Sequence, residues 1–341
     1  MTIIIGIDPH KASHTAVAID ENEAPLAEFR LAADRCQAQR LLAWAAPFGD
    51  RAWAVESADG LGKLLSQQLV AEGEHVIDVP ATLAARVRLL GSTKASKNDP
   101  NDALSTAIAG LRHCGLRRVS ADDHRQAIRM LVRRFGDVTA RRTQAVCRLH
   151  AVLIELIPGG MPRKLKADQA SAALRRVRTD NPVDVARKAI AAELVLDVRR
   201  CDRELVELRR RIADAVDASG TTLLEVYGVG PIVAALILGY TGDPARFPTK
   251  DRFAAYNGTA PIEASSGPKA RHRLNPRGNR KLNHAMHLIA VTQIRNAGTP
   301  GRVFYDRKLA EGKTKKEALR ALKRRVSDAV WRQLQVDLGR R

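Results

Sequence analysis

Three short runs open the chain, each β-branched or alternating between apolar and polar positions: residues 2–8 (TIIIGID), 13–19 (SHTAVAI) and 25–32 (PLAEFRLA), with polar turn residues between them. This pattern predicts three strands in an antiparallel meander. The period then changes. Residues 36–48 repeat as a helix, 51–55 (RAWAV) as a strand, 60–72 as a helix, 75–79 (HVIDV) as a strand and 81–90 as a helix. The expected order is therefore β-β-β-α-β-α-β-α.

A meander followed by alternating helix and strand builds a mixed sheet covered on both faces, the element order of RNase H-like folds and also of actin-like ATPases. Further on, an Arg-rich helical segment runs over 121–157 and stops at Pro158-Gly159-Gly160. Residues 161–180 are expected to be a polar linker. A second long helix then carries Leu194, Val198, Cys201, Leu205, Leu208 and Ile212, an a/d seam that serves equally well as a helical-hairpin core or a dimer contact in a coiled-coil arm. Residues 223–240 (LLEVYGVGPIVAALILGY) have the pattern helix, Gly-x-Gly-Pro turn, helix, as in a helix-hairpin-helix that approaches phosphate through its backbone, or a plain αα-turn burying Val229 and Ile232. Three domains are expected: 1–120, an arm over 121–220, and a mostly helical 221–341 ending in a basic amphipathic helix.

Charge separates the first of these from the rest. The 341 residues carry +20 overall, but 1–110 sum to −4 and 111–341 to +24. A basic body favours polyanionic partners, nucleic acid first, because each neutralised phosphate releases counterions. An acidic module joined to it is suited to carboxylate chemistry. The four cysteines, Cys36, Cys114, Cys147 and Cys201, form no C-x-x-C pair, so neither a zinc knuckle nor a disulfide framework is indicated, and they are expected as buried, reduced thiols in a cytoplasmic protein. The amino terminus lacks the basic start of a signal peptide, and the apolar run 233–238 is far short of a membrane span.

Four acids stand out. Asp8 and Glu56 each end a predicted strand, and neighbouring strands would bring both to one rim of the sheet. Asp99 and Asp102 lie three apart at the start of a predicted helix and share a face. Together they would hold Mg²⁺, or Mn²⁺, beside a scissile phosphate. The same residues also suit ordinary roles: Asp99 before Pro100 is a good N-cap, and Asp102 complements the helix dipole. In the carboxy-terminal third, Ser265 and Ser266 lie in a loop followed by Lys269, Arg271, Arg273, Arg277, Arg280 and Lys281, and the tail adds Lys315, Lys316, Lys323, Arg324 and Arg325. On residue types alone the loop is an ordinary turn and the cations are either phosphate contacts or a solvated face.

The stretches GIDPHK (6–11), AVES (54–57), KNDPNDA (97–103), YGVGP (227–231), FAAYNGTAPIEASSG (253–267) and RGNRKL (277–282), in this order and spacing, resemble the DEDD transposases of insertion sequences of the IS one-ten type. The resemblance spans nearly the whole chain. It implies a RuvC-like catalytic domain with Asp8, Glu56, Asp99 and Asp102 as the metal-binding tetrad. It also implies a serine nucleophile at Ser266, with Ser265 the adjacent alternative, and a bridge RNA that selects DNA by base pairing. Because the tetrad and the serine lie in different domains about 160 residues apart, a homo-oligomer with a composite site shared between protomers is expected. A low aromatic content, 4%, agrees with backbone contact rather than base stacking. The rivals are a RuvC-like junction nuclease without serine chemistry, an actin-like ATPase, and a basic nucleic-acid-binding protein without catalysis.

Overall fold

Alternation along the first strand decides how the sheet is clothed. In the computed structural model, which describes residues 2–91, 98–263, 272–273, 275–276 and 278–339, the chain divides into two compact units, Met1–Asp122 and Asp123–Arg341. The first contains β1 (Ile3–Pro9), β2 (Ser13–Ile19), β3 (Pro25–Ala32), α1 (Gln37–Ala45), β4 (Arg51–Glu56), α2 (Lys63–Ala71), β5 (Val76–Val79), α3 (Ala81–Gly91), α4 (Asp99–Arg112) and β6 (Arg117–Arg118). The sheet order is β3-β2-β1-β4-β5-β6. The β1–β2 and β2–β3 pairs are antiparallel, β1–β4 and β4–β5 parallel, and the short β6 antiparallel to β5. An antiparallel meander continued by parallel strands is the RNase H-like arrangement that the element order predicts. The two-residue β6 is too short to leave a periodic signal in the sequence.

The two faces of the sheet bury different residue sizes. Ile5, Ile7, Trp53 and Val55 face Leu41 of α1 and Leu65 and Leu69 of α2 in one cluster. Ile4, Ala52 and Ala54 face Ala103 and Ala107 of α4 in the other. The second face is built of small residues, and α4 therefore lies almost on the backbone of β1. A Cβ at Gly6 would overlap the carbonyl oxygen of Ala103 and stand 2.7 Å from the Cβ of Ala107, and one at Gly110 would stand 2.7 Å from the Cβ of Ala54. No side chain larger than hydrogen fits at either glycine without moving the helix.

The second unit begins with α5 (His124–Leu156), α6 (Ala167–Arg176) and α7 (Pro182–Ala218). The expected linker over 161–180 thus contains a helix, α6. Its Ala170 and Leu174 are buried against α5 and α7, so tertiary packing orders a segment whose polar composition pointed to a loop. The seam of α7 is used within the chain: Val198, Cys201, Leu205, Leu208 and Ile212 are buried, and Leu194 packs against the same hairpin core. Ion pairs run antiparallel along the two long helices, Arg142 to Asp202 at 2.5 Å, Arg141 to Glu204 at 2.7 Å and Arg187 to Glu155 at 2.7 Å. Such exposed pairs contribute at most about 1 kcal/mol each, and the apolar seam carries the hairpin.

A 3-10 turn (Thr222–Glu225) follows, then α8 (Pro231–Thr241), α9 (Lys250–Tyr256), the strand pair β7 (Ile262–Glu263) and β8 (His272–Arg273), α10 (Arg280–Arg295), α11 (Pro300–Ala310) and α12 (Lys315–Gly339). The helix expected ahead of the Gly-x-Gly turn is this single 3-10 turn. Val229 is buried and Ile232 packs against the core, as a plain turn requires. The apolar α8 is central: Ile237 lies in one cluster with Ile128 of α5, Ile212 of α7, Phe253 of α9, Met286 of α10 and Val330 of α12. Of the cysteines only Cys201 is buried. Cys36, Cys114 and Cys147 are exposed, at a turn, in a loop and on the outer face of α5, which corrects the expectation of four buried thiols. Among the described residues no helix is long and apolar enough to cross a membrane.

Gly6→Ala is expected to cost about 1–3 kcal/mol, the usual range for forcing extra atoms into a close-packed layer. The shift of the urea midpoint measures it. A midpoint unchanged from wild type would show that α4 does not rest on β1 at this glycine.

Candidate metal centre

Parallel pairing of β1 with β4 places Ile7 opposite Val55, so the residues that follow, Asp8 and Glu56, leave the sheet at the same rim. Asp8 is 8% exposed in spite of its charge. Glu56 ends its strand in an unusual turn: Ser57 has a φ of 50°, in the left-handed region. That conformation is costly for a non-glycine residue and is held by its neighbours. The Ser57 amide donates to the carbonyl of Val79 at 2.9 Å, and the Ala58 amide donates to Asp78 Oδ1 at 2.9 Å. Asp78 is itself fixed by Arg117 of β6, at 2.9 Å. Burial opposes the charge on Arg117, but the carboxylates of Asp59 and Asp78 outweigh it and raise its pKa above the ordinary arginine value.

The N-cap of α4 is Asn98, whose side chain accepts from the Asn101 amide at 2.9 Å. Asp99 occupies the first helical position and Pro100 the second. Capping is therefore done by Asn98, and the role that most plainly competed for Asp99 is already filled. Asp102, one turn on, is 9% exposed.

Asp8 is common to two groupings of the acids. Asp8, Glu56 and Asp102 line one cleft of about 350 Å³ with His10, Ser57 and Arg88. Ligand atoms of Asp8, His10 and Asp99 lie within 4.8 Å of one another. Nitrogen groups stand against the carboxylates: the guanidinium of Arg88 of α3 pairs with Asp102, that of Arg30 of β3 lies 3.5 Å from Asp99, and the imidazole Nδ1 of His10 lies 3.7 Å from Asp8. Carboxylate oxygens with one imidazole nitrogen are a donor set for a hard divalent cation, and the imidazole suits Mn²⁺ as well as Mg²⁺. His10 and Arg88 were missed in the sequence. His10 had a signal, since two residues beyond a strand-end acid is within reach of the same rim; Arg88 had none, because only the packing of α3 brings it to Asp102.

The cations of the second unit fall into different settings. Arg273 lies in β8 opposite Ile262, and Arg280 and Lys281 form the exposed first turn of α10, whose cap is Asn279. Ser265, Ser266, Lys269, Arg271 and Arg277 lie outside the described residues. In the tail, Lys315 and Lys316 are exposed, but Arg324 is taken by Asp251 and Asp328, and Arg325 lies 5.7 Å from the centre of the Phe304 ring. For Arg324 the expected solvated or phosphate-facing role gives way to helix packing.

Comparison with known proteins fits this arrangement. Residues 5–158 match a transposase family model of the IS110 DEDD group, and residues 220–306 match the transposase model of the IS116/IS110/IS902 family. The chain belongs to the IS110/IS116/IS902 family of transposases. Within this family it is 28% identical to the IS116 insertion-element protein of Streptomyces clavuligerus, over 97% of this chain and 94% of that one. Against the IS900 insertion-element protein of Mycobacterium paratuberculosis it is 28% identical over 96% of this chain and 94% of the other. The IS110 insertion-element protein of Streptomyces coelicolor is 34% identical over 65% of this chain and 56% of that one. Among solved structures, T. thermophilus RuvC in complex with Holliday junction substrate aligns over 35% of this chain and 100% of its own, with 15% identity and a TM-score of 0.29.

Because Arg88 occupies Asp102, a divalent ion would compete with it for that carboxylate. Arg88→Ala is expected to tighten Mn²⁺ binding by roughly tenfold, the scale of one partly buried charge pair. Calorimetric titration of the full chain reads this directly, and an unchanged or weaker affinity would show that the arginine does not contest the site.

Proposed function

We propose that the chain is an active transposase that cuts and exchanges DNA strands, with Asp8, Glu56, Asp99 and Asp102 as its metal-binding tetrad and Ser266 as its nucleophile. The observation that carries this reading is that Asp8 of β1 shares a cleft with Glu56 of β4 and Asp102 of α4 and also lies in ligand reach of Asp99 and His10, with Asn98 rather than Asp99 capping the helix. The separate elements have no structural need to bring their carboxylates together, and Arg88 and Arg30, which stand against Asp102 and Asp99, are the cations that a divalent ion would displace.

Mg²⁺, or Mn²⁺, held there would neutralise charge developing on a phosphate and fix its orientation. The protein's part is to hold the carboxylates: the left-handed turn at Ser57 aims Glu56, and the contact of α4 with β1 sets Asp99 and Asp102 beside Asp8. The hydroxyl oxygen of Ser266 would bond to phosphorus as a sugar oxygen leaves, so that the phosphoserine link keeps the bond energy for rejoining. Attack by the sugar hydroxyl of the other strand then releases the serine. Support for Ser266 comes from its place in the family's Ser-Gly step, between β7 and β8. Target choice would come from base pairing to a bridge RNA, and the strands would be exchanged within a homo-oligomer.

Plasmid carrying the element ends, incubated with the chain, Mg²⁺ and the flanking RNA, tests this reading. Wild type is expected to give DNA covalently attached to protein. Ser266→Ala should lose the adduct, and Asp99→Ala should slow its formation by at least about 100-fold, as removal of a charge-stabilising group does. Metal-dependent nicking that survives Ser266→Ala would replace this mechanism with that of a RuvC-like nuclease.

A further inference from the structure

Between Glu263 and Asp306 the chain contains no acidic residue, and α10 lies entirely inside that stretch. Arg280, Asn283, His284 and His287 share one face of α10, with Asn283 and His284 three and four residues after Arg280 and His287 four and three after them. Packed against that face is Lys323 of α12. Its ammonium is half buried and donates to Asn283 Oδ1 at 2.6 Å. An amide chain fixes the geometry: Asn283 Nδ2 donates to the carbonyl of Asn257 at 3.0 Å, and Asn257 Nδ2 donates to Ser327 Oγ at 2.8 Å. Lys323 is thus held by α10 and by the end of α9, without any described carboxylate as its partner.

The acids of the same region are engaged elsewhere. Asp251 and Asp328 pair with Arg324, Asp306 with Arg302, Glu311 with Lys308, and Asp337 with the hydroxyls of Thr221 and Thr222, while Glu317 accepts from Thr314. The contrast between adjacent residues is informative: Arg324 faces two carboxylates, whereas Lys323 donates to the Asn283 amide and is repelled by the Arg280 charge. Burial and the Arg280 charge hold the Lys323 ammonium below the usual lysine range. Burial, with the charges of Lys323 and His284, holds His287 below the usual histidine range. Half-burying the Lys323 ammonium near the Arg280 charge raises the energy of the unliganded protein, and an anion seated there removes that cost.

We infer that Lys323, with Arg280, His284 and His287, forms a seat for a backbone phosphate of a nucleic acid. The donors are of the right kind. An ammonium with further N–H bonds to give, a guanidinium and two imidazoles that each offer a ring N–H can donate to an anion, and a phosphodiester presents two anionic oxygens to such a set. No base edge is read by these groups, so the seat positions the strand and does not select its sequence. The inference rests on the reading of the chain as a nucleic-acid enzyme, but the seat needs neither the metal nor the serine.

Binding of the full chain to a labelled DNA duplex and to a single-stranded RNA, measured by fluorescence anisotropy in EDTA over a salt series, tests it. Lys323→Gln is expected to weaken binding by about tenfold and to lower the slope of log affinity against log salt by about one, whereas Lys323→Arg keeps the slope. Lysine acylation with a succinimidyl ester on the wild-type chain gives a readout free of any folding defect: saturating oligonucleotide should suppress labelling of Lys323 by about tenfold, on the affinity scale of one phosphate contact. Protection by the duplex alone assigns the seat to DNA, and protection by the RNA alone assigns it to RNA; either supports it. Equal labelling with and without both oligonucleotides, or an unchanged affinity and slope in a folded Lys323→Gln, would overturn it. Because no cleavage is involved, loss of the Ser266 adduct leaves these outcomes unaffected.

Discussion

The contact between α4 and β1 determines the geometry of the candidate centre. Asp99 and Asp102 sit on a helix and Asp8 at the end of a strand, and the distance between a helix axis and a sheet is ordinarily set by the side chains between them. Here that layer is nearly absent: Gly6 and Ala54 on the sheet face Ala103, Ala107 and Gly110 on the helix. The first turn of α4 is consequently brought down to the rim where β1 and β4 end. A bulky residue anywhere in this layer would lift the helix and draw its two acids away from Asp8. The opposite face of the sheet shows the contrast, since Trp53, Ile5, Ile7, Leu65 and Leu69 fill an ordinary thick core there. The fold spends its hydrophobic burial on one face and its precision on the other.

Most of this architecture was legible because it follows from periodicity. The three opening strands, the alternation after them, and the end positions of Asp8 and Glu56 all come from side-chain patterns with periods of two or near 3.6, and the structure reproduces them nearly residue for residue. What the sequence did not yield lies where pattern is silent. Helix α6 is polar enough to resemble a linker, and it is ordered by burying Ala170 and Leu174 against two longer helices. The seam of α7 was visible, but its partner was not, since an a/d stripe has the same form whether it faces its own chain or another. Capping was misassigned by one position: Asp99 before a proline is a good cap by composition, yet Asn98 does the work because it alone has the extended backbone and an acceptor aimed at the Asn101 amide. Arg88 became relevant only through the packing of α3, and no local pattern marks a residue that acts across elements.

The acidic and basic halves of the chain solve related electrostatic problems in opposite ways. In the first unit, two of the carboxylates gathered at one rim are met by a protein cation, Arg88 on Asp102 and Arg30 against Asp99, and the His10 imidazole lies against Asp8. In the second unit, cations gathered along α10 and Lys323 have no described acid to meet them. The difference bears on what each place can bind. A carboxylate cluster with its own counter-cations is stable when empty, and an incoming divalent ion must displace arginine before it is fully coordinated. This keeps affinity moderate and leaves the displaced cation within reach of the phosphate that accompanies the metal. A cation cluster with no counter-anion gains its compensation only from outside, so its free energy falls most when a polyanion arrives.

That asymmetry gives the order in which such a protein would engage its substrate. Long-range attraction between the +24 body and nucleic acid requires no metal and no desolvation of carboxylates, and it acts before any local contact is made. Residues 1–110, at −4, would repel a phosphate backbone until a divalent ion changed the sign of the local field at Asp8, Asp99 and Asp102. Holding the nucleic acid and acting on it are in this way made electrostatically separable. On the proposed reading the basic unit would keep hold of a strand while the acidic cleft stays closed to it, and the charge of the metal, opposed at Asp102 by Arg88 and at Asp99 by Arg30, would set the threshold for chemistry.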